Sequence, residues 1–282
     1  MNVKRAHQVI KAFGFRYFLE ASRAIRHKKR ITIITYHSVT PDPHKYAITP
    51  PAFLNQLSFI NENYDIIKLS EIAKAFSDNA KPVRQLVITF DDAFENFYEF
   101  AYPTLQRFSI PCTIFVPSGL IGRNNVWDSH KRLSPKIQIM NKQQLMALRG
   151  DGSVDFGSHT IDHVSMRNLS LHEMRRQAVD SKKELEDILG LKIHMFSYPY
   201  GQLNDVSKRT TNILSEAGYN IAVTTRWGTL QTRQQMLELK RIFFDEKDNY
   251  DDLRAKIEGQ YDWFGLKERV GFLLRSKTLA SG

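Results

Sequence analysis

The chain has 282 residues, of which 42% are hydrophobic and 11% aromatic, enough for one large domain with a substantial core. Its net charge is +10, but residues 1–30 contribute +8 of it, with nine Lys or Arg residues and one acid. The rest of the chain is nearly neutral, so a basic groove for nucleic acid is not expected. No apolar run approaches the roughly 18 residues of a membrane-spanning helix.

Residues 1–30 are predicted to form a basic amphipathic helix, because apolar residues recur there every three or four positions. Arg16, Glu20 and Arg23 interrupt any apolar segment of a signal peptide. Such a helix can lie on an anionic membrane surface, or it can pack on its own domain. The single cysteine, Cys112, sits in an apolar run and suits a reducing compartment. We therefore expect a cytoplasmic protein, with peripheral association at the inner membrane face as an option.

Beyond this helix, short apolar segments alternate with helical patterns. Strands are predicted at 31–35, 86–90, 111–116, 153–158, 193–198, 219–225 and 238–244. Helices are predicted at 141–149, 170–189 and 205–217. This alternation indicates parallel strands, arranged in either a barrel or an open sheet.

Two adjacent carboxylates, Asp91 and Asp92, follow the predicted strand 86–90. In α/β folds, catalytic groups lie at the carboxyl ends of strands. Successive strand residues point to opposite faces, so we expect the two carboxylates to differ in role, one binding a metal and the other taking a proton. The alternative is an Asp pair that caps the helical pattern that follows.

A second cluster, Ser158-His159-Thr160-Ile161-Asp162-His163, also stands at a strand end. Two histidines four residues apart share one face of a helical turn and can bind one metal ion. Together with Asp92 they would offer three ligands to Zn²⁺ or a similar divalent ion and leave a position for water, which is typical of a catalytic site. A His-x3-His pair alone is a weak pattern, and the Asp pair strengthens it.

A third stretch, Tyr198-Pro199-Tyr200-Gly201, ends the strand predicted at 193–198. Its Pro and Gly predict a sharp loop, which can aim a backbone N–H at a reacting oxygen or can be an ordinary strand-to-loop corner.

In this order, Thr89-Phe90-Asp91-Asp92, the segment 158–163 and the segment 198–201 resemble the motifs of the polysaccharide deacetylase family, the NodB-homology domain of carbohydrate esterase family 4. The resemblance covers residues 31–245. It implies an α/β fold with a distorted (β/α)7-type barrel, to which we add the N-terminal helix 1–30 and a helical C-terminal extension at 246–282. It also implies metal-dependent removal of acetyl groups from N-acetylated sugars.

The resemblance assigns roles residue by residue. Asp91 matches the general base, and the backbone N–H of Tyr200 matches an oxyanion donor. The metal ligands would be Asp92, His159 and His163. An amide carbonyl is a poor electrophile, so a Lewis acid, a base for water and an acid for the departing amine are all needed. The predicted substrate-binding side chains are Tyr198, Pro199 and Trp227, and core packing is the alternative for Trp227.

Two departures from the family pattern concern the general acid and the arginine beside the base. Many members have Arg at the position of Ser197, and a late Leu-x-His where this chain has Leu239-Lys240-Arg241. The pair Tyr36-His37 is similar to an early Tyr-His of the poly-N-acetylglucosamine deacetylase branch. We therefore hypothesise that His37 is the general acid and that Arg241 replaces the missing Arg beside Asp91. Imidazole suits the acid role because its pKa is near neutrality.

The resulting interpretation is a metal-dependent hydrolase, with zinc as the expected ion, that removes N-acetyl groups from a surface polysaccharide or its lipid-linked precursor. Two alternatives remain open: a non-catalytic glycan-binding member of the same fold, and a deacylase of a different small amide or ester. A partner nucleic acid is not expected.

Overall fold

The computed structural model describes residues 30–42, 44, 46–77, 84–127, 136–265 and 267. The helix predicted over residues 1–30 lies outside the described residues, apart from Arg30, and so does nearly all of the tail beyond residue 265. Predictions about those two segments therefore stay predictions.

Strands and helices alternate along the described chain. The strands are β1 (Arg30–Tyr36), β2 (Ser38–Val39), β3 (Ala47–Ile48), β4 (Asp65–Ile66), β5 (Arg84–Phe90), β6 (Cys112–Val116), β7 (Val154–Ser158), β8 (Met195–Ser197), β9 (Ile221–Trp227) and β10 (Leu239–Arg241). The α-helices are α1 (Pro50–Asn63), α2 (Ile72–Ser77), α3 (Tyr102–Phe108), α4 (Lys142–Arg149), α5 (Leu171–Leu189), α6 (Lys208–Glu216) and α7 (Tyr250–Ile257). Each of the ten strands and helices predicted above has its counterpart in these bounds.

The main sheet is parallel and nearly closes on itself. Its strands follow the order β1-β5-β6-β7-β8-β9-β10, and β4 adds to the beginning of β5. A parallel bridge joins Ile34 of β1 to Ile242, just past β10, through the bonds from Thr35 N to Ile242 O and from Ile242 N to Ile33 O, both 2.9 Å. Seven strands thus form a barrel, and the (β/α)7-type prediction is confirmed.

The core has two layers because strand residues alternate between the two faces of the sheet. One buried cluster includes Ile33, Val87 and Phe115, which come from three neighbouring strands. The larger cluster includes their neighbours Ile34 and Ile88 and packs against the helices. Burying each such side chain is worth about 1.5–3 kcal/mol, so both layers contribute to holding the barrel.

Polar caps fix where the helices begin and end. Asn141 accepts a hydrogen bond from Gln144 N at 3.0 Å at the start of α4, and Ser170 accepts one from Glu173 N at 3.2 Å at the start of α5. Helix α5 stops at Gly190, whose φ of +62° suits glycine.

The described part of the C-terminal extension packs on the barrel. Ile257 at the end of α7 accepts a hydrogen bond from Thr32 Oγ1 of β1 at 3.2 Å, and Asp262 accepts bonds from the N–H and the hydroxyl of Thr229. The predicted helical character of this segment is confirmed at α7, while the domain boundary at residue 245 stays a prediction. Among the helices that the structure describes, none is long and apolar enough to cross a membrane.

Candidate active site

The chemistry-bearing side chains lie at one end of the barrel, where the strands have their carboxyl ends. Strands β1, β5, β7 and β8 end at Tyr36, Phe90, Ser158 and Ser197, and the residues that follow them converge. The group consists of His37, Asp91, Asp92, His159 and His163, and Arg241 joins it from the end of β10.

Asp91 and Arg241 form a buried, bidentate ion pair. Arg241 donates from Nη1 to Asp91 Oδ1 at 2.8 Å and from Nη2 to Asp91 Oδ2 at 2.5 Å, and it is 1% exposed. Its remaining N–H groups donate to Thr224 O at 2.8 Å, Thr89 Oγ1 at 3.1 Å and Ser197 Oγ at 3.1 Å. The structure thus brings Arg241 onto Asp91, with Ser197 in contact where many family members have arginine.

This pairing keeps Asp91 ionised. Burial on its own raises the pKa of Asp91, but the Arg241 charge and its hydrogen bonds outweigh burial, with smaller help from His159 and His37. The net result is a pKa of Asp91 below its ordinary value. A carboxylate that stays charged inside the protein can accept a proton from a nearby water.

Asp92 faces the two histidines instead. Its Oδ1 lies 3.1 Å from His163 Nε2 and 3.4 Å from His159 Nε2, and all three side chains are buried. Burial raises the pKa of Asp92, whereas the histidines lower it by more, so the pKa of Asp92 lies below its usual range. Three potential ligand atoms therefore converge within 4.8 Å of one another.

These three residues fit a divalent metal. Zinc bonds of about 2.0–2.1 Å in tetrahedral geometry place ligand atoms about 3.3 Å apart, close to the 3.1 Å and 3.4 Å between Asp92 Oδ1 and the two imidazoles. Asp92 Oδ1 is buried and has no hydrogen-bond partner among the described residues, despite these short distances. Such an orphaned oxygen is costly unless a cation or water occupies the point it faces. The donor set of two imidazoles and one carboxylate is one that zinc accepts.

A backbone contact orients one imidazole. His159 Nδ1 lies 2.7 Å from Ser197 O, so Nδ1 donates to this carbonyl and Nε2 is the nitrogen that faces Asp92. For His163, burial lowers the pKa below its ordinary value against the opposing charge of Asp92, which favours the neutral ring that binds metals. For His159, burial lowers the pKa, but Asp92 and Asp91 together raise it above its ordinary value.

The loops that carry these residues have strained backbones. The φ angles are +71° at Asp92, +52° at Ala93, +66° at Thr160, +53° at His163 and +60° at Tyr200, a region that non-glycine residues seldom adopt. Such residues cluster at functional sites, where the surrounding structure holds them in place.

Two local expectations are corrected by this geometry. Asp91 and Asp92 both lie past the last residue of β5, and Asp92 has a left-handed φ of +71°, so strand alternation alone does not set the directions of the two carboxylates. His159 and His163 meet through a loop that is neither helix nor strand, rather than across a helical turn. The residues are brought together as predicted, but by a different backbone path.

His37 lies at the edge of this group. Its Nε2 is 3.9 Å from Asp91 Oδ2, its side chain is 27% exposed, and its ring stacks on Tyr46 with centroids 5.5 Å apart. It is therefore partly open to solvent and adjacent to the buried carboxylate. A general acid has to lie within hydrogen-bond reach of the group that it protonates, so His37 stays the candidate for this role.

Two further aromatic side chains contact His163. Trp127 stacks on the imidazole with ring centroids 3.8 Å apart and an interplanar angle of 20°, and Tyr200 meets it edge-on at 5.3 Å. Tyr200 is 43% exposed, and the Gly201 that follows it has φ of +60° with no room for a Cβ beside Thr225 N. The contact of Trp127 with His163 was not predicted from the sequence.

The predicted substrate-binding residues lie in the core. Tyr198 is 1% exposed, and its hydroxyl donates to Leu237 O at 3.1 Å. Pro199 is buried, and Trp227 packs edge-on against Phe243 at 5.1 Å. All three side chains are buried and their role in substrate binding stays a prediction, whereas the aromatic residues that contact His37 or His163 are Tyr46, Trp127 and Tyr200.

A parallel α/β barrel with such a cluster at the carboxyl ends of its strands is of the type that carries catalytic sites. Within that class, the chain belongs to the polysaccharide deacetylase family, whose sequence profile matches residues 78–222.

Individual proteins are also similar to this chain in sequence. The chain is 26% identical over 215 residues to YxkH of Bacillus subtilis, which covers 76% of this chain and 71% of that protein. It is 29% identical over 169 residues to a poly-beta-1,6-N-acetyl-D-glucosamine N-deacetylase of Staphylococcus epidermidis, with 57% of this chain and 56% of that protein covered. The match therefore spans little more than half the length of the staphylococcal enzyme.

Solved structures share the fold. IcaB from Ammonifex degensii superposes with a TM-score of 0.71 at 22% identity, covering 83% of this chain and 99% of that one. The Streptococcus pyogenes deacetylase PplD, solved in complex with acetate, has a TM-score of 0.69 at 24% identity, covering 81% of this chain and 98% of that one.

Proposed function

We propose that this chain is a metal-dependent N-deacetylase that removes acetyl groups from an N-acetylated amino sugar within a polysaccharide. The observation that carries the proposal is that two groups of side chains lie next to each other at one end of the barrel. One is the carboxylate of Asp91, paired with Arg241, and the other is the possible metal-ligand set of Asp92, His159 and His163. Amide hydrolysis needs a base and an electrophilic centre side by side.

In this proposal Asp92, His159 and His163 hold the divalent ion, with zinc as the expected metal. The ion would supply Lewis acidity, polarising the acetyl carbonyl and making water more acidic. Asp91, kept ionised by Arg241, takes the proton from the attacking water. The backbone N–H of Tyr200 is the proposed donor to the carbonyl oxygen as negative charge develops on it.

The amine that leaves must be protonated, because an unprotonated amide nitrogen is a poor leaving group. We assign this step to His37, whose imidazole lies 3.9 Å from Asp91 and is partly exposed. In the same assignment Arg241 holds Asp91 in position and charge. His37 and Asp91 thus act as the acid and base of one reaction.

The proposed substrate class is a β-1,6-linked N-acetylglucosamine polymer, by similarity to the staphylococcal relatives that are named for that activity. A lipid-linked precursor of such a polymer remains a second candidate substrate.

We extend the proposal to peripheral membrane binding through residues 1–30, at the cytoplasmic face of the membrane. The support is their nine basic residues among recurring apolar ones. Co-sedimentation with anionic vesicles before and after deletion of residues 1–27 tests it, and equal binding by the two proteins would contradict it.

Acetate release tests the enzymatic proposal directly. Purified protein loaded with zinc is incubated with β-1,6-linked N-acetylglucosamine oligomers, and an Asp91→Asn variant serves as the matched control because its side chain has the same size. We expect release by the wild type and at least a hundredfold slower release by the variant. Binding of the oligomers without release by either protein would favour a glycan-binding module. Release from simple acetylated amides but not from oligomers would favour a small-molecule deacylase.

A further inference from the structure

The loop at residues 159–163, which carries both metal-site histidines, is not stabilised by regular secondary structure of its own. It is neither helix nor strand, and Thr160 and His163 lie in the left-handed region at φ of +66° and +53°. Because this conformation is disfavoured for residues with a side chain, contacts from elsewhere in the fold must hold it.

One such contact comes from Gln177 in the middle of α5. Its Oε1 accepts hydrogen bonds from the backbone N–H of Ile161 at 2.9 Å and of Asp162 at 3.3 Å, two of the three residues between the histidines. Gln177 is 1% exposed, although glutamine is a polar residue seldom found fully buried. Its position is therefore unusual for its type and is explained by this loop.

The amide nitrogen of Gln177 also makes hydrogen bonds through both of its hydrogens. Gln177 Nε2 donates to Asp162 Oδ2 at 2.8 Å and to Glu173 Oε1 at 3.0 Å, and Arg176 Nη2 donates to the same Asp162 oxygen at 2.9 Å. Both acceptor positions and both donor hydrogens of the amide are thus used. This pattern fixes which way the amide faces, since backbone donors require the oxygen and carboxylates require the nitrogen.

The 3-10 turn at residues 118–120, which follows β6, holds the loop from its opposite side. Ser118 N donates to Thr160 O at 3.1 Å, and Gly119 N donates to Ile161 O at 3.0 Å. A Cβ on Gly119 would come within 2.6 Å of the Ile161 side chain, so the turn approaches the loop as closely as a glycine permits. The loop backbone is therefore held through its N–H groups by α5 and through its carbonyl groups by this turn.

We infer that Gln177 is a positioning residue that sets the affinity of the metal site, by holding the loop between His159 and His163 in its left-handed course. The inference rests on the proposed function, because it takes these two histidines as metal ligands. The hydrogen bonds of Gln177 to the loop go to the backbone N–H groups of Ile161 and Asp162 and to the Asp162 side chain, so it acts on the histidines through the residues between them. Groups that orient metal ligands from outside typically change metal affinity 10- to 100-fold when removed.

The test measures zinc affinity in the full chain. Metal-free wild type, Gln177→Met and Gln177→Glu are titrated with Zn²⁺ against a chromophoric chelator, and the thermal midpoint of each metal-free protein is recorded. Gln177→Met keeps the side-chain length and removes all four hydrogen bonds, whereas Gln177→Glu keeps the acceptors but loses both donors and adds a third carboxylate beside Asp162 and Glu173. Leu185→Ala, a buried position further along the same helix, is the control for general loss of stability.

We expect the zinc Kd to rise at least tenfold in Gln177→Met and Gln177→Glu and to stay within twofold of wild type in Leu185→Ala, even where the thermal midpoint of Leu185→Ala is the lowest. Wild-type affinity in both Gln177 variants would overturn the inference alone. Equal weakening in Leu185→Ala would overturn it as well, since affinity would then follow overall stability. A wild type that binds no divalent metal would overturn the proposed function and, with it, the inference.

Discussion

Arg241→Leu is the substitution whose consequences the structure defines most fully. It removes a guanidinium that is 1% exposed and makes hydrogen bonds to Asp91, Thr89, Ser197 and Thr224. Removing one partner of a buried ion pair costs roughly 3–5 kcal/mol, because the other charge is left without compensation. At about 2–4 °C per kcal/mol for a chain of this size, the thermal midpoint should fall by about 6–20 °C.

The same substitution changes the pKa of Asp91 in a known direction. In the wild type, burial raises and Arg241 more strongly lowers the pKa of Asp91, so its favourable contribution to stability is present above the unfolded pKa of about 3.9 and is lost as the pH falls through the folded value. Without Arg241, burial is opposed only by the weaker effects of His159 and His37, and the pKa of Asp91 rises. The stability deficit of Arg241→Leu should therefore be largest at neutral pH and shrink in acid, where Asp91 is protonated.

Two assays read out these effects. Urea unfolding at several pH values gives the stability deficit, and the pH profile of kcat/KM gives its acidic limb, which should move to higher pH because the base must be ionised. Arg175→Leu is the matched control: its ion pair with Glu216 is 3.2 Å long and both side chains are more than half exposed. That variant should stay within about 0.5 kcal/mol of wild type. An Arg241→Leu deficit below about 1 kcal/mol, or an unmoved acidic limb, would refute the reasoning.

Three further predictions concern the other groups of the site. His37→Ala should lose most acetate release while keeping its metal; wild-type turnover would remove His37 from the acid role. Trp127→Ala should lower kcat/KM about 2- to 13-fold, since an aromatic stack is worth about 0.5–1.5 kcal/mol, whereas the buried Trp227→Ala should instead lose about 3–5 kcal/mol of stability. A loss of kcat/KM in Trp227→Ala, with a loss of stability in Trp127→Ala, would instead support Trp227 as the substrate-binding residue. Chelation should lower the stability by about 2.7 kcal/mol for a protein previously held at a hundredfold excess of metal over Kd, and added zinc should restore it; an unchanged thermal midpoint would contradict a structural contribution from the ion.

Much of the fold could be predicted because the strands are short apolar runs separated by capped helices. The runs at 86–90 and 153–158 correspond to β5 and β7, and the helix predicted at 170–189 corresponds to α5, each to within a residue or two. Parallel strands have their carboxyl ends on one side, so the order of the motifs in the chain was enough to bring Asp91, Asp92 and the two histidines together.

The pairing of Arg241 with Asp91 was predicted from a substitution pattern. Many family members have arginine at the position of Ser197, and this chain has Arg241 on a different strand, so we predicted that Arg241 supplies the missing positive charge. In the structure Arg241 contacts both Asp91 and Ser197. This kind of inference works because a buried carboxylate needs a cation nearby, and few positions in a barrel can supply one.

The remaining parts of the site depend on loop geometry that residue patterns do not encode. The left-handed backbone conformations at Asp92 and Thr160 occur at residues other than glycine, so the sequence does not indicate them. The stacking of Trp127 on His163 and the hydrogen bonds of Gln177 to the loop join residues more than ten positions apart, and neither residue type indicates such a contact. Helix periodicity places Gln177 on the buried face of α5 with Met174 and Ala178, but it does not indicate which loop the amide would hold.

The central claim is that Asp92, His159 and His163 hold a catalytic divalent ion beside Asp91. Elemental analysis of the purified wild type, His159→Ala and Asp91→Asn after mild dialysis and zinc addition tests it most directly. The account predicts about one ion per chain in the wild type and in Asp91→Asn, and none in His159→Ala. A wild type that retains no divalent metal under these conditions, or a His159→Ala variant that retains as much as the wild type, would contradict it.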